Sequence, residues 1–358
     1  MNALATRPLG RSGVTVTALS FGAAGLGNLY APITDAQAAT AVDRAWRAGI
    51  RYFDTAPHYG LGLSERRLGE ALRGRDRSSY VISTKVGRLL EPVDEVRGDD
   101  LAEGGFAVPA THRRIWDFSA DGVRRSIEAS LGRLGTDRVD VVFLHDPDHH
   151  GEQAFREGYP ALEKLRSEGV VGAIGAGMNQ AEMLTRFVRD TDVDAVLCAG
   201  RYTLLDHTAL AELLPAATQR GASIVIGGVF NSGLLADPKP GARFDYTEAP
   251  PKLLERARAL RALAERHGTT LRAAALAFPF GHPAVAGVLV GIHTPEQVDD
   301  AAAQFASDVP ADFWREARER GLLPSEVPVP VPVPSDVRGA GGVRGADGVR
   351  GEGRPCRP

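Results

Sequence analysis

Four ionisable side chains stand where short apolar runs of this 358-residue chain end. Asp54 closes the second run, Tyr59 follows it closely, Lys85 closes the third run and His145 closes the fourth. Taken singly, such residues are more often a turn-forming Asp, a solvated Lys or a core His. Taken together, a carboxylate, a phenol, an amine and an imidazole can move protons, and no nucleophile stands among them. The sequence therefore predicts a proton-transfer site.

Electrostatics predicts how these groups work together. The phenol of Tyr59 has an ordinary pKa of about 10, too high for efficient proton exchange at neutral pH. A neighbouring Lys85 ammonium would favour the phenolate and lower that pKa, and Asp54 would keep the ammonium charged. His145 would hydrogen-bond a substrate carbonyl or hydroxyl oxygen beside the phenol.

The elements that must position these groups alternate regularly along the chain. Short apolar runs, predicted as strands, lie at 18–21, 52–54, 80–85, 139–145, 171–175, 195–199, 223–226 and 287–290. Segments of helical periodicity lie at 35–48, 64–72, 120–134, 159–168, 180–189, 209–220, 251–267, 271–278 and 295–305. Strands that are apolar throughout and precede helices indicate a parallel sheet covered by helices. Eight such units predict an α/β fold, a closed (β/α)8 TIM barrel with the four side chains at one mouth.

The competing architecture is an open doubly wound sheet, which carries a glycine-rich turn after its first strand. Residues 22–27 have the spacing G-x-x-G-x-G instead of G-x-G-x-x-G, and residues 28–32 break any helix that would face a pyrophosphate. We interpret residues 22–27 as a flexible loop of a barrel. Residues 9–16 are predicted to form a short hairpin that plugs the barrel bottom.

Composition and charge favour a small-molecule partner. The chain has 42 basic and 45 acidic residues, a net charge of −3 and a pI near 6.3. It has no overall cationic field, so nucleic acid and anionic membranes are not expected partners. Because no run of about 18 apolar residues and no signal-peptide core occur, we expect a cytoplasmic protein. The oligomeric state stays open.

Neither the cysteines nor the clustered polar residues predict a metal site. Cys198 lies in an apolar run and Cys356 lies near the end of the chain, so a disulfide framework or a thiolate site is not expected. The acidic and histidine residues at 146–150 are metal-ligand types, but consecutive loop residues do not fix a tetrahedral geometry. We predict no metal.

The end of the chain differs in composition from the rest. Residues 327–334 alternate Val and Pro, and Val-Arg-Gly then recurs with a regular spacing. Such a sequence favours extended backbone and has little apolar surface to bury, which also disfavours a solenoid. We predict a barrel domain at 1–325 and a disordered Pro/Gly/Arg-rich tail at 326–358.

Several motifs, in this order, resemble the aldo-keto reductase superfamily. They are YFDTAPHYG at 52–60, SERRLGEA at 64–71, VISTKVG at 81–87, SIEASLGRL at 126–134, VDVVFLHD at 139–146 and EGVVGAIGAGMN at 168–179. The resemblance spans about residues 7–320 and implies a (β/α)8 barrel with a nicotinamide cofactor. It also implies that Tyr59 is the acid in carbonyl reduction and the base in alcohol oxidation, tuned by Lys85 and Asp54, while His145 orients the substrate.

Further motifs resemble the aldose 1-dehydrogenase branch, which includes D-threo-aldose (L-fucose) and pyridoxal 4-dehydrogenases. They are IWDFS at 115–119, HDPD at 145–148, GAGMNQ at 175–180 and AGRYTLL at 199–205. The resemblance implies oxidation of an aldose of the L-fucose, D-arabinose or L-galactose type to a lactone. The alternatives are a pyridoxal 4-dehydrogenase, a small-aldehyde reductase or, from another class, a nicotinamide-binding redox-sensor module.

The resemblance also implies where a cofactor would bind. The residues are Gly22, Asn179, Phe230, Gly291, His293, Thr294 and Gln297. In the segment 291–297, backbone donors and a helix N-terminus would face the pyrophosphate. NADP-selective relatives place an Arg near Gln297 and an Asn near Ala301, and neither is present here. NAD is therefore the preferred cofactor, with NADP possible.

An insertion at 91–114, rich in Asp, Glu and Gly, follows the third strand. Loops at the strand ends of a barrel form the pocket wall. We therefore expect Trp116, just after this insertion, and Tyr202, after the sixth strand, to contact the substrate. These residues set the pocket polarity that separates a sugar from pyridoxal, but they do not identify the substrate.

Overall fold

The computed structural model describes residues 5–330 of the chain. Its strands are β1 (Thr6–Pro8), β2 (Thr15–Thr17), β3 (Leu19–Gly22), β4 (Tyr52–Asp54), β5 (Val81–Val86), β6 (Arg88–Pro92), β7 (Asp99–Asp100), β8 (Phe106–Pro109), β9 (His112–Trp116), β10 (Val141–His145), β11 (Ala173–Met178), β12 (Ala195–Ala199), β13 (Ser223–Gly227), β14 (Arg243–Phe244), β15 (Thr247–Glu248) and β16 (Val285–Gly291). Its helices are α1 (Asp35–Arg47), α2 (Leu63–Leu72), α3 (Ala120–Leu134), α4 (Gly151–Gln153), α5 (Tyr159–Ser167), α6 (Ala181–Asp190), α7 (Leu213–Arg220), α8 (Pro251–Arg266), α9 (Leu271–Ala277), α10 (Pro295–Ala306) and α11 (Ala311–Glu319).

A closed barrel of eight parallel strands forms the centre of the molecule. The strands pair in the order β3, β4, β5, β10, β11, β12, β13 and β16, and β16 returns to β3. Local capping explains where the covering helices begin: Thr34 and Gln37 form a capping box at α1, and Ser119 caps α3. The predicted (β/α)8 barrel is confirmed, and the open sheet is excluded. Within residues 5–330, no helix is long and apolar enough to cross a membrane.

The hairpin of β1 and β2 closes the amino end of the barrel. Leu9 and Val16 are buried against Val141, Ala173 and Ala195, the first residues of β10, β11 and β12. The hairpin therefore covers apolar side chains that would otherwise meet water at the barrel bottom. The predicted segment 9–16 contains the turn and most of β2, whereas β1 lies just before it.

Residues 22–27 do not form the flexible loop expected from the sequence. Residues 23–27 form a 3-10 turn in which Gly25 and Gly27 are buried. A Cβ on Gly27 would lie 2.7 Å from the backbone carbonyl carbon of Tyr59, so only glycine allows this approach. The expectation was wrong because these glycines serve close packing, and the turn supports the Tyr59 loop.

The insertion at 91–114, together with the residues on either side of it, forms two nested antiparallel hairpins. β6 pairs with β9, and β7 pairs with β8. Phe106 of β8 is buried, and Asp100 of β7 forms an ion pair with Arg114 of β9. Because β6 begins two residues after β5 ends, the hairpins stand at the carboxyl end of the barrel.

The chain packs on the barrel beyond the expected domain end at 325. Val327 is buried, and its carbonyl oxygen accepts a hydrogen bond of 2.7 Å from Arg318 of α11. Residues 326–330 thus differ from the disordered tail expected there, because the valines of the Val/Pro run cover apolar surface. The rest of that expected tail, 331–358, lies outside the described residues.

Candidate active site

The carboxyl ends of β4, β5 and β10 bring the four predicted side chains together at the barrel mouth. The Nζ atom of Lys85 donates to Asp54 Oδ2 at 2.6 Å, to the Thr55 carbonyl oxygen at 3.0 Å and to the Tyr59 hydroxyl at 3.0 Å. The ring of His145 stands perpendicular to that of Tyr59, with 5.9 Å between the centroids. We refer to Asp54, Tyr59, Lys85 and His145 as the tetrad.

Lys85 is a charged group in a nearly dry position. Its side chain is 2% exposed and that of Asp54 is 1% exposed. Ser83 donates a hydrogen bond of 2.7 Å to the other carboxylate oxygen of Asp54. Burial opposes the charge of Lys85, but Asp54 and Tyr59 outweigh burial and raise the pKa of Lys85 above its ordinary value. The tetrad therefore holds an ammonium ion against the phenol.

The structure corrects the expected pKa of Tyr59. Burial is the largest effect and raises the pKa of Tyr59 to about 12, although Lys85 acts in the opposite direction. Asp54 also raises this pKa, because its negative charge disfavours the phenolate. The expectation of a lowered pKa was wrong because the sequence does not show how dry the site is. Lys85 limits the rise, and the resting side chain is a phenol.

His145 is a neutral imidazole. Burial, followed by the positive charges of Arg88 and Lys85, holds the pKa of His145 well below its ordinary value. Its Nδ1 atom is buried with no hydrogen-bond partner among the described residues, and its Nε2 atom lies 3.6 Å from Asp146. A neutral imidazole offers one donor and one acceptor, which suits the positioning of an uncharged oxygen.

Trp116 lies on the rim of the mouth. Its indole is 40% exposed, stacks on His150 at 5.0 Å between centroids, and lies beneath the guanidinium of Arg88 at 4.4 Å. Arg88 in turn pairs with Asp146, which follows His145. Trp116 is thus placed where a substrate could contact it. Among residues 5–330, no three metal-ligating side chains come together.

Tyr202 does not lie in the mouth as expected. It is fully buried and packs against Phe278, with 5.0 Å between the ring centroids. Its hydroxyl has no hydrogen-bond partner among the described residues. The expectation was wrong because its aromatic ring fills the core between barrel and helices, a role that the AGRYTLL motif does not distinguish from substrate contact.

A cleft of about 710 Å³ lies beside the tetrad, on the β11 to β16 side of the mouth. Among the predicted cofactor residues, Asn179, Phe230, Gly291, His293 and Gln297 line it. Gly22 and Thr294 do not line the cleft directly. Gly22 pairs with both Gly291 and Asp54 in the barrel, and Thr294 caps α10 by accepting from Gln297. Both therefore position residues that face the cleft or the tetrad.

The cleft fits a nicotinamide cofactor. Its volume is in the usual range for cofactor sites. A Cβ on Gly25 would collide with the Ile292 carbonyl and the His293 ring, so the glycine lets two segments meet at the cleft wall. The buried Nε2 atom of His293 has no hydrogen-bond partner within the described chain, which leaves it free for a ligand. The N-terminus of α10 lies at the same end of the cleft, where it favours an anion.

Several residues of the site were not predicted from the sequence. Tyr30 and Tyr246 line the outer part of the cleft, and Arg272 lines it near Asp300. His58 lies beside the tetrad within the quoted motif YFDTAPHYG, but its residue type alone did not single it out. Only the fold shows that Arg272 and the tyrosines reach this cleft, because they lie on separate helices and loops.

The barrel and the tetrad define an oxidoreductase site. A family model described as "Aldo/keto reductase family" matches residues 18–320. The chain belongs to the aldo/keto reductase family, and it is an enzyme that uses a nicotinamide cofactor.

Two named relatives and one solved structure are similar to this chain along most of its length. The chain is 46% identical over 318 residues to a D-threo-aldose 1-dehydrogenase of Pseudomonas sp, covering 88% of this chain and 97% of the relative. It is 39% identical over 336 residues to a pyridoxal 4-dehydrogenase of Microbacterium luteolum, with the same two coverages. A solved aldo-keto reductase of Bacillus halodurans in its holo form is 26% identical, with a TM-score of 0.71, covering 88% of this chain and 96% of that one.

Proposed function

We propose that this enzyme oxidises aldoses at the anomeric carbon to lactones, with NAD as the preferred cofactor. The observation that carries the proposal is the tetrad, in which a buried ammonium contacts a phenol beside a neutral imidazole. The relative named D-threo-aldose 1-dehydrogenase, which matches along nearly its whole length, supports the aldose as substrate.

The tetrad accounts for the proton in this reaction. The Tyr59 oxygen, as phenolate, accepts the proton of the anomeric hydroxyl while the carbon–oxygen bond at C1 becomes double. The bound nicotinamide supplies the acceptor for the hydride that leaves C1. An aldose and an oxidised cofactor thus give a lactone, a reduced cofactor and one proton. Lys85 stabilises the phenolate, and His145 positions the anomeric oxygen beside it.

Charges at one end of the cleft favour NAD over NADP. Glu296, Gln297 and Asp300 line this end, which follows the last barrel strand. Arg272 also lines it, but its guanidinium pairs with Asp300 at 3.1 Å. A 2′-phosphate would have to displace Asp300 from Arg272 and approach a second carboxylate at Glu296. The ribose of NAD carries no 2′-phosphate, so it neither displaces Asp300 nor brings a negative charge close to Glu296.

A pyridoxal 4-dehydrogenase is the second candidate function. It is favoured by the 39% identity to the Microbacterium luteolum enzyme of that name. The same tetrad would act on the aldehyde or hemiacetal of an aldose or of pyridoxal. The residues of the substrate pocket must therefore determine which of the two is the substrate.

Initial rates with a small substrate panel test the proposal. Formation of reduced nicotinamide is followed by absorbance with L-fucose, D-arabinose, L-galactose and pyridoxal, each with NAD and with NADP. We expect kcat/KM to be highest for an aldose with NAD. Turnover of pyridoxal without turnover of any aldose would replace the first candidate by the second.

A further inference from the structure

His58 lies beside the tetrad but is not part of it. Its ring centroid is 6.1 Å from that of Tyr59 and 5.8 Å from that of His145. Phe106 of the inserted hairpins packs edge-on against the same imidazole at 5.3 Å. Three polar rings thus meet at the mouth, and a hydrophobic ring fixes the orientation of His58.

A buried ion pair defines which nitrogen of His58 carries the proton. Arg114 Nε donates to His58 Nδ1 at 2.6 Å, and the other two nitrogens of Arg114 donate to Asp100 at 2.6 and 2.7 Å. Both partners of this pair are nearly buried, with 8% and 2% of the side chains exposed. Because a guanidinium can only donate, Nδ1 must be an acceptor, and the ring proton of a neutral His58 lies on Nε2.

The surroundings also keep this imidazole uncharged. Burial, followed by Arg88, Arg114 and Lys85, lowers the pKa of His58 to about 2. Within the described part of the chain, no hydrogen bond occupies Nε2. His58 therefore presents a neutral, pre-oriented N–H group on a ring that lies 6.1 Å from that of Tyr59 and 5.8 Å from that of His145.

We propose that the Nε2–H group of His58 donates a hydrogen bond to the hydroxyl at C2 of the aldose, which makes His58 a specificity-determining residue. The inference rests on the proposed function. Tyr59 and His145 engage the oxygen on C1, so a donor beside them reaches an oxygen one carbon away. The two neighbours of C1 are the ring oxygen and C2. Positive charge develops on C1 and the ring oxygen as hydride leaves, so a donor is tolerated better at the C2 hydroxyl.

The test compares substrates that differ by this hydroxyl alone. D-arabinose and 2-deoxy-D-ribose form such a pair, because the second is the first without its oxygen at C2. His58→Phe removes the donor but keeps a ring for Phe106. We expect it to lower kcat/KM for D-arabinose by about tenfold to a hundredfold, and to lower kcat/KM for 2-deoxy-D-ribose at least tenfold less. His58→Gln, which restores an N–H donor, should recover part of the loss for D-arabinose.

Controls separate the possible failures. His112→Phe makes the same change at a histidine of β9 whose side chain, within residues 5–330, hydrogen-bonds only Thr111, and both sugars should keep their wild-type ratio. Binding of NADH, followed by fluorescence, reports whether His58→Phe is folded. If folded His58→Phe loses kcat/KM equally for the two sugars, the proposed role of His58 is overturned, whereas the proposed function is not. A wild-type enzyme that oxidises neither D-arabinose nor any other aldose would overturn the proposed function and this inference with it.

Discussion

The ammonium nitrogen of Lys85 lies 3.0 Å from the hydroxyl oxygen of Tyr59. A cation at this distance stabilises the phenolate, whereas burial stabilises the phenol. In the structure the effect of burial is larger than that of Lys85, since the pKa of Tyr59 is raised to about 12. Proton exchange by Tyr59 therefore depends on a cation that keeps this pKa from rising further.

Replacing Lys85 should move the pH profile of aldose oxidation. Oxidation needs the phenolate, so the rate rises with pH until the pKa of Tyr59 is passed. Lys85→Met removes the cation and raises that pKa, because burial and Asp54 then act without opposition. We expect the rising limb of log kcat against pH to shift upward by at least about one unit, with a loss of more than about tenfold at neutral pH.

Lys164→Met is the matched control, since the side chain of Lys164 on α5 is 75% exposed and its one ion pair among residues 5–330 is with Glu168. Its profile should coincide with that of the wild type. A Lys85→Met profile of unchanged shape and position would show that Lys85 does not set the pKa of the catalytic base.

Replacing Asp54 should cost stability as well as activity. Asp54→Asn leaves the ammonium of Lys85 buried without its carboxylate, and we expect a loss of about 3–5 kcal/mol in the free energy of unfolding. Without Asp54, the pKa of Lys85 falls on folding. The unfolded chain then binds more protons, so the stability of the variant should rise with pH. Urea unfolding at several pH values measures both effects.

Asp35→Asn provides the comparison. Asp35 is 85% exposed and pairs with Arg67, so its loss should cost less than about 1 kcal/mol. Similar losses in the free energy of unfolding for Asp54→Asn and Asp35→Asn would show that the buried pair of Asp54 and Lys85 stabilises the fold no more than an exposed pair does.

The close contact between Gly27 and the Tyr59 loop should control activity. A Cβ at Gly27 would lie 2.7 Å from the Tyr59 carbonyl carbon, so Gly27→Ala must displace the loop that presents the phenol. We expect kcat to fall by about tenfold or more, because small misplacements of catalytic groups are costly. Gly132→Ala is the control, since nothing lies within 4 Å of its added Cβ in α3, and it should keep full activity with equal or higher stability. Full activity in Gly27→Ala would contradict this role.

Freeing Arg272 should improve the binding of NADP. Asp300→Asn removes the charge that neutralises Arg272 and leaves the guanidinium available to a 2′-phosphate. We expect the dissociation constant of NADPH, measured by fluorescence, to fall about tenfold relative to that of NADH. Asp299→Asn makes the same change at the next residue, which pairs with Arg44 instead, and should not alter the ratio. An unchanged ratio in Asp300→Asn would remove Arg272 from the explanation of cofactor preference.

The sequence predicts the barrel well because parallel strands are apolar on both faces. The runs at 52–54 and 195–199 coincide with β4 and β12, and the helix predicted at 120–134 coincides with α3. The tetrad is predictable for the same reason: an ionisable residue at the end of an apolar strand stands out against its neighbours.

Long-range contacts explain what the sequence left unpredicted. The strands of the insertion are only two to five residues long, so their alternation gives a weak signal, and the pair of Asp100 and Arg114 helps to hold them together. Arg114 meets His58 across a separation of 56 residues, which no local pattern reports. The pKa of Tyr59 likewise depends on burial by the whole mouth rather than on Lys85 alone.

Turnover of Tyr59→Phe tests the central claim most directly, because the variant keeps the ring and loses only the transferable proton. With an aldose and NAD, we predict a fall in kcat of about a hundredfold or more, while NADH binds with wild-type affinity. Turnover of Tyr59→Phe within a few-fold of the wild type would contradict the account, since another group would then accept the proton.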